Sequence, residues 1–309
     1  MNKKTLIIAG LAVAVIAVLV LLIGQGKLKF LSGIGRSPAD SLYRQASSLS
    51  LQSKDQFERA VKLYQDLIRK YPLDERAADA WYKMAEIYES QNLWQQAKDA
   101  YAKIIAGFPN FKQISEAEKR LWEMNVKILF SSLVTNKDIV YKVGPGDTLT
   151  KIASRYNTTV DLLMRSNKLG SDMIRPGARL KVSPAMYSIF VDKSQNLLTL
   201  TSGKEIVKVY TVATGKNNCT PVGKFKIVEK LLNPDWYKPG GGVVPAGSPE
   251  NVLGTRWLGL SEPQYGIHGG ATAKDLGSQV TEGCVRMLNP EVEELFTIVP
   301  KGTEVTIVD

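Results

Sequence analysis

The spacing of hydrophobic positions changes several times along the chain, and each change marks a different kind of segment. Thr5 to Ile23 is unbroken, nineteen residues without a charge (TLIIAGLAVAVIAVLVLLI). At about 1.5 Å per helical residue, such a run is long enough for a hydrocarbon core of roughly 30 Å. From 41 to 130 the apolar residues follow a helical period, and proline occurs only at 72 and 109. Between 141 and 184 a strand at Val140 to Val143, two short helices and a strand at Arg179 to Val182 are predicted. From Tyr187 onward, β-rich runs at 187–191, 197–201, 206–213, 224–228 and 304–308 alternate with Gly, Asn and Pro clusters. The predicted architecture is multidomain. It comprises an N-terminal transmembrane helix with its linker (1–39), an all-α region (40–135), a small βααβ module (139–184) and a mainly β domain (186–309). The last is expected as a mainly antiparallel sandwich or barrel-like sheet.

Charge sharpens this division. The 309 residues carry a net charge of +10, but residues 1–39 hold five basic and no acidic groups, and 141–184 hold eight basic and three acidic ones. Residues 185–309 are close to neutral, with twelve basic and thirteen acidic groups. No single domain shows the dense basic face with interleaved aromatics that nucleic acid requires, so no nucleic-acid partner is expected. Lys3 and Lys4 precede the apolar run, and its exit at Leu22 to Lys27 lacks an A-x-A-like cleavage pattern. No Cys follows closely to carry a lipid. An uncleaved single-pass anchor in the cell membrane is the expectation, with a cleaved signal as the alternative. The folded domains would then lie in the periplasm or cell-wall space.

One His and two Cys exclude a Cys/His zinc site, a His-ligated haem and a disulfide framework. No metal or cofactor is expected. Any histidine chemistry must run through His268.

The helical region repeats itself. Ala60, Tyr64, Tyr71 and Pro72 recur as Ala97, Tyr101, Phe108 and Pro109, each shifted by 37. Trp81, Met84, Ala85, Tyr88 and Trp94 complete the second copy, whereas the first has Ser48 and Leu51 in place of Ala85 and Tyr88. This resembles the tetratricopeptide repeat, in which small residues let antiparallel helices approach and aromatics fill the groove. A further helix at about 113–130 would cap the stack. The aromatics are explained by packing; a surface for a protein partner and a spacer are the two functional alternatives.

Residues 141–184 resemble a LysM domain through the Gly146-Asp147-Thr148-Leu149 turn, the Ile152-Ala153-x-x-Tyr156 helix, Leu163-x-x-x-Asn167 and the ending Ile174-x-Pro176-Gly177-x-x-Leu180-Lys181-Val182. Thr150 departs from the large residue common there. The resemblance implies binding of N-acetylglucosamine-containing glycan, here peptidoglycan, through the loops bearing Gly146, Asp147, Thr148, Leu149, Ile174 and Pro176. Turns and caps alone also explain several of these residues.

Chemistry concentrates at Tyr265-Gly-Ile-His268-Gly269 and Thr281-Glu282-Gly283-Cys284-Val285-Arg286. A thiol attacks as thiolate, and an imidazole can take its proton and return it to a leaving amine. These segments resemble the L,D-transpeptidase (YkuD) family over about 187–309. Ala213-Thr-Gly-Lys, Thr220-Pro-Val-Gly-Lys-Phe and Gly254-Thr-Arg-Trp257 also match. The resemblance implies Cys284 as nucleophile, His268 as general base and acid, and Gly269 as the carbonyl that orients the ring. Gly283 and Cys284 would supply oxyanion amides, with Thr281 and Tyr265 facing substrate. Arg286 would hold a substrate carboxylate, or else a structural salt bridge. Two departures stand out. Glu282 replaces the family's usual second His and would raise the thiol pKa while favouring protonated His268. Cys219 is either a bystander or a redox partner.

The implied activity is a peptidoglycan L,D-transpeptidase forming 3→3 cross-links, or using another amine acceptor, with release of terminal D-Ala. Stem peptides and glycan are the implied partners, and carbapenems would acylate Cys284. An L,D-carboxypeptidase or endopeptidase and a non-catalytic peptidoglycan-binding scaffold are the alternatives.

Overall fold

The computed structural model describes residues 37–309 except 50, 52 and 185. The apolar run at 5–23 lies outside the described residues; among them no helix is long and apolar enough to cross a membrane. The described residues divide into two compact units, one ending at Tyr71 and the other spanning 72–309.

The first unit holds α1 (Pro38–Ser47) and α2 (Lys54–Lys70), with Ser37 and Ser53 capping their N-termini. Ala46, Ala60 and Tyr64 are buried between them, and the Ser47 and Tyr64 hydroxyls are 2.9 Å apart.

The second unit begins with α3 (Glu75–Ser90), α4 (Trp94–Gly107) and α5 (Ile114–Phe130). As the repeat pattern predicts, Ala85, Ala97 and Tyr101 are fully buried, with Trp81, Tyr88 and Trp94 packed around them. The Tyr101 hydroxyl donates to Glu89 at 2.6 Å. Helix α5 also carries the β domain: Asn125 Nδ2 donates to the carbonyls of Val207 (3.0 Å) and Ile206 (3.2 Å), on that domain's strand Glu205–Thr211.

The small module is β1 (Ile139–Lys142), α6 (Leu149–Arg155), α7 (Val160–Ser166) and β2 (Arg179–Val182), with β1 and β2 antiparallel. Thr148 and Thr159 cap the two helices. Asp147 does not cap; its carboxylate accepts from the Gly144 amide and the Tyr141 hydroxyl, both at 2.7 Å, and so ties the turn to β1. Asn167 joins α7 to β2, donating to the Lys181 carbonyl at 2.8 Å and accepting from its amide at 2.7 Å.

This module is fastened to its neighbours on both sides. Lys181, almost fully buried, sends its ammonium to the carbonyls of Ile128 (2.8 Å) and Ser131 (2.9 Å), closing the C-terminus of α5 where the helix dipole is negative. On the other side, the Thr159 hydroxyl donates to the Thr297 carbonyl in α8 (Asn289–Ile298).

The β domain is built on one eight-stranded sheet. Its long strands are β3 (Tyr187–Asp192), β4 (Leu197–Ser202), β5 (Glu205–Thr211), β7 (Gly223–Leu232), β10 (Arg256–Leu260) and β14 (Glu304–Val308). From one edge, the short strands β13 (Val285–Arg286) and β11 (Gly266–His268) are followed by β10, β7, β14, β3, β4 and β5. Neighbours are antiparallel except β14–β3 and β11–β13. The sheet curls because β7 serves two partners: residues 223–226 pair with β14 and 227–232 with β10. Short β8 (Trp236–Tyr237) and β9 (Val243–Val244) form a hairpin between β7 and β10. Helix α8, absent from the sequence-based expectation, buries Val292, Leu295, Phe296 and Ile298 in the core. Lys230 closes its C-terminus through the carbonyls of Phe296 (2.6 Å) and Val299 (2.8 Å), and burial lowers that ammonium's pKa to about 8.

Candidate active site

Two short parallel strands, β11 (Gly266–His268) and β13 (Val285–Arg286), bring the predicted residues together. Ile267 lies opposite Val285, and His268 opposite Arg286. Ile267 and Val285 are buried in the core, so by strand alternation Gly266, His268 and Arg286 belong to the opposite face. Cys284 is the residue before β13, and the Gly266 amide, next to β11's Ile267, lies close enough to act on its thiol.

His268 is 2 % exposed, and Trp257 stacks on its ring at 5.9 Å between centroids. Nδ1 lies 2.8 Å from the Gly269 carbonyl oxygen. A carbonyl can only accept, so Nδ1 carries the proton and Nε2 is left with a lone pair, the form a base requires. The Gly269 carbonyl therefore holds Nδ1 on the side away from Nε2. Burial pushes the imidazole pKa down to about 4, with the Arg286 charge acting in the same direction and the carbonyls of Gly269, Leu253 and Val252 opposing.

The turn after His268 is fixed by Asn289, which sequence reasoning missed. Its Oδ1 accepts from the amides of Gly270 (2.9 Å) and Thr255 (3.2 Å), and a β-carbon at Gly269 would come within 2.2 Å of it. The Asn-Pro pair at 289–290 reads only as a helix start. Asn289→Ala strands two amides. It should destabilise the protein by about 1–3 kcal/mol in chemical denaturation and slow donor acylation by loosening the ring.

Cys284 is half-buried, and its thiol points to the Gln264 carbonyl at 3.6 Å. Burial pushes the thiol pKa up and the nearby Cys219 adds to this, while the Gly266 amide and Arg286 act to lower it. The resting pair is therefore neutral thiol and neutral imidazole.

The loop before Cys284 differs from expectation in two places. Thr281 is buried, donating to the Cys284 carbonyl at 2.6 Å and accepting from the Gly283 amide at 3.2 Å. It pins the loop of Cys284 from inside, where the expectation had it facing substrate. The same bond engages the Gly283 amide, so of the two expected oxyanion donors that of Cys284 is the better placed. Tyr265 walls this loop, its ring 2.6 Å from where a β-carbon on Gly283 would stand.

A family model for the L,D-transpeptidase catalytic domain matches residues 186–307, one for LysM matches 141–183, and one for the tetratricopeptide repeat matches 40–74 and 79–110. The chain is 36% identical over 178 residues to the protein named as L,D-transpeptidase YkuD in Bacillus licheniformis, covering 55% of this chain and 98% of that one. Its counterpart in Bacillus subtilis is 34% identical over 177 residues, with the same coverage. The catalytic domain of an Enterococcus faecium L,D-transpeptidase aligns with 40% of this chain and 96% of its own, at 20% identity and a TM-score of 0.34, too low to carry an argument.

The chain belongs to the YkuD family of L,D-transpeptidases.

In this L,D-transpeptidase family member the effect of Glu282 is not the one expected from the sequence. Glu282 is exposed, and Lys216 binds it at 2.8 Å, holding its carboxyl below the usual range. Its charge is answered there; the thiol is raised by burial, and the imidazole is lowered. Arg286 is the cation whose charge acts on both His268 and Cys284, and its buried Nε has no hydrogen bond among the described residues. Cys219 is an exposed free thiol on the loop facing Gly283.

In the LysM module, Gly146, Thr148 and Pro176 are exposed, and Asp147 and Ile174 are half-buried. Leu149 is 1 % exposed and belongs to the module's core beneath α6, so its side chain is removed from the expected glycan contacts.

Proposed function

We propose that the protein is a peptidoglycan L,D-transpeptidase forming 3→3 cross-links through an acyl-enzyme on Cys284. One observation supports this most: the chain's single histidine lies on the strand paired with the one that Cys284 leads into, and it has a lone pair at Nε2. The thiol proton passes to Nε2 as Sγ attacks the carbonyl of the diamino acid at position 3 of the stem. The oxyanion is met by the Cys284 amide. The protonated imidazole gives its proton to the nitrogen of the departing D-Ala, leaving a thioester. An acceptor amine then attacks the thioester, its proton passes to His268, and the thiol is restored by the same route.

Arg286 would hold a substrate carboxylate, and the LysM loops would grip the glycan. The repeats would offer a surface for a protein partner. The apolar run at 5–23 would anchor the chain in the cell membrane, with these domains in the periplasm or cell-wall space.

Incubating the purified enzyme with tetrapeptide muropeptides and analysing products by mass spectrometry tests the reading. The expected product is a 3→3 dimer with one D-Ala released per bond. Tripeptide alone would identify a carboxypeptidase, and unchanged substrate a scaffold.

A further inference from the structure

Lys216 and Glu282 stand on the lip of the active site, held by a backbone arrangement that nothing in the acylation chemistry requires. Strands β6 (Thr214–Gly215) and β12 (Gln279–Thr281) pair in parallel, with Gly215 opposite Thr281. The next residue on each side is one of the two charges, and Nζ lies 2.8 Å from Oε1. The two loops touch through their backbones: a β-carbon on Gly215 would stand 2.9 Å from Gly283 Cα and 2.8 Å from the Thr220 nitrogen.

The loop bearing Lys216 is fixed from beneath. Lys193, buried, donates to the carbonyls of Thr220 (2.9 Å) and Asn218 (3.2 Å), and the Thr220 hydroxyl accepts from the Gly215 amide at 2.7 Å. The charges themselves lie in solvent, with side-chain exposures of 57% for Lys216 and 82% for Glu282. A pair this exposed contributes little to stability. Opposite charges carried side by side on a held backbone, one of them two residues before Cys284, instead suit a ligand with the complementary pair.

We propose that Lys216 and Glu282 recognise the side-chain end of the donor's diamino acid, a zwitterion with ammonium and carboxylate on one carbon. This rests on the reading of Cys284 as the nucleophile. The ligand's ammonium takes Glu282 and its carboxylate takes Lys216. The acceptor amine is a poorer match, because a carboxylate partner holds an amine protonated and an attacking amine must be free.

The test compares acylation of the whole enzyme by four reagents: tetrapeptide donors carrying meso-diaminopimelate, its side-chain carboxamide or lysine, and an amine-free penem. The readout is each donor's kcat/KM relative to the penem's. Glu282→Gln should lower this ratio about tenfold for all three peptides, one charge-assisted contact being lost. Lys216→Met should lower it for the diaminopimelate donor alone and so abolish discrimination against the carboxamide. Ratios equal to wild type in both variants, including a parallel fall for peptides and penem, overturn the proposal. Failure of the penem to acylate wild-type Cys284 overturns the nucleophile instead.

Discussion

In Cys284→Ala, acyl-enzyme formation disappears. The wild-type protein treated with a carbapenem gains the mass of one inhibitor, and the variant gains none. Muropeptide turnover falls by about 10⁴ or more, since the proposed nucleophile and base would act as a unit. Cys219 does not substitute. It is the more exposed thiol, but it sits on a different loop from the strand pair that carries His268. Cys284 is a small, half-buried side chain, so its loss should change stability by less than about 1 kcal/mol. A variant that retains labelling or turnover removes Cys284 from the mechanism.

His268→Gln tests the other half of the pair and carries a separate signature in pH. Loss of the base lowers acylation by about 10²–10⁴. In wild type the imidazole is pushed from 6.5 to about 4, so acylation by a carbapenem should hold constant on acidification and fall only as pH approaches 4. Stability follows from the same shift. As pH drops below 6.5 the unfolded chain takes up a proton that the folded chain refuses, so stability is lost until about pH 4 and then levels off. The fully buried ring makes the loss about 3 kcal/mol. Denaturant titrations at neutral and acidic pH should show this loss in wild type and lack it in His268→Gln. Equal losses in both would place the acid sensitivity in other groups.

The parts of this structure that are local in sequence were legible there. The helical period of 41–130, the capped helices after Thr148 and Thr159 and the strands around Tyr187, Leu197 and Glu304 all report short-range preferences. The motif residues were legible too, because His268 and Cys284 have so few competitors of their kind. The rest depends on pairings across long stretches of chain. That β7 serves both β10 and β14 is set by its neighbours, as is the covering of α8's short apolar face. Thr281 and Leu149 looked available for ligands because their motifs are functional, yet each is the residue its motif needs inside. Glu282 misled in the opposite way: its effect depends on Lys216, sixty-six residues earlier.

The two buried attachments of the LysM module, Lys181 to the end of α5 and Thr159 to α8, also bear on where the enzyme can work. A module on a loose tether would let a catalyst search a sphere around its grip, with a local concentration set by tether length. Here the LysM module and Cys284 belong to one compact unit, and these bonds leave no loose tether between them. If the module holds a strand, stems within a narrow band beside that hold meet Cys284 and all others do not. The spacing of new cross-links along a glycan would then be measured out by the protein's own dimensions.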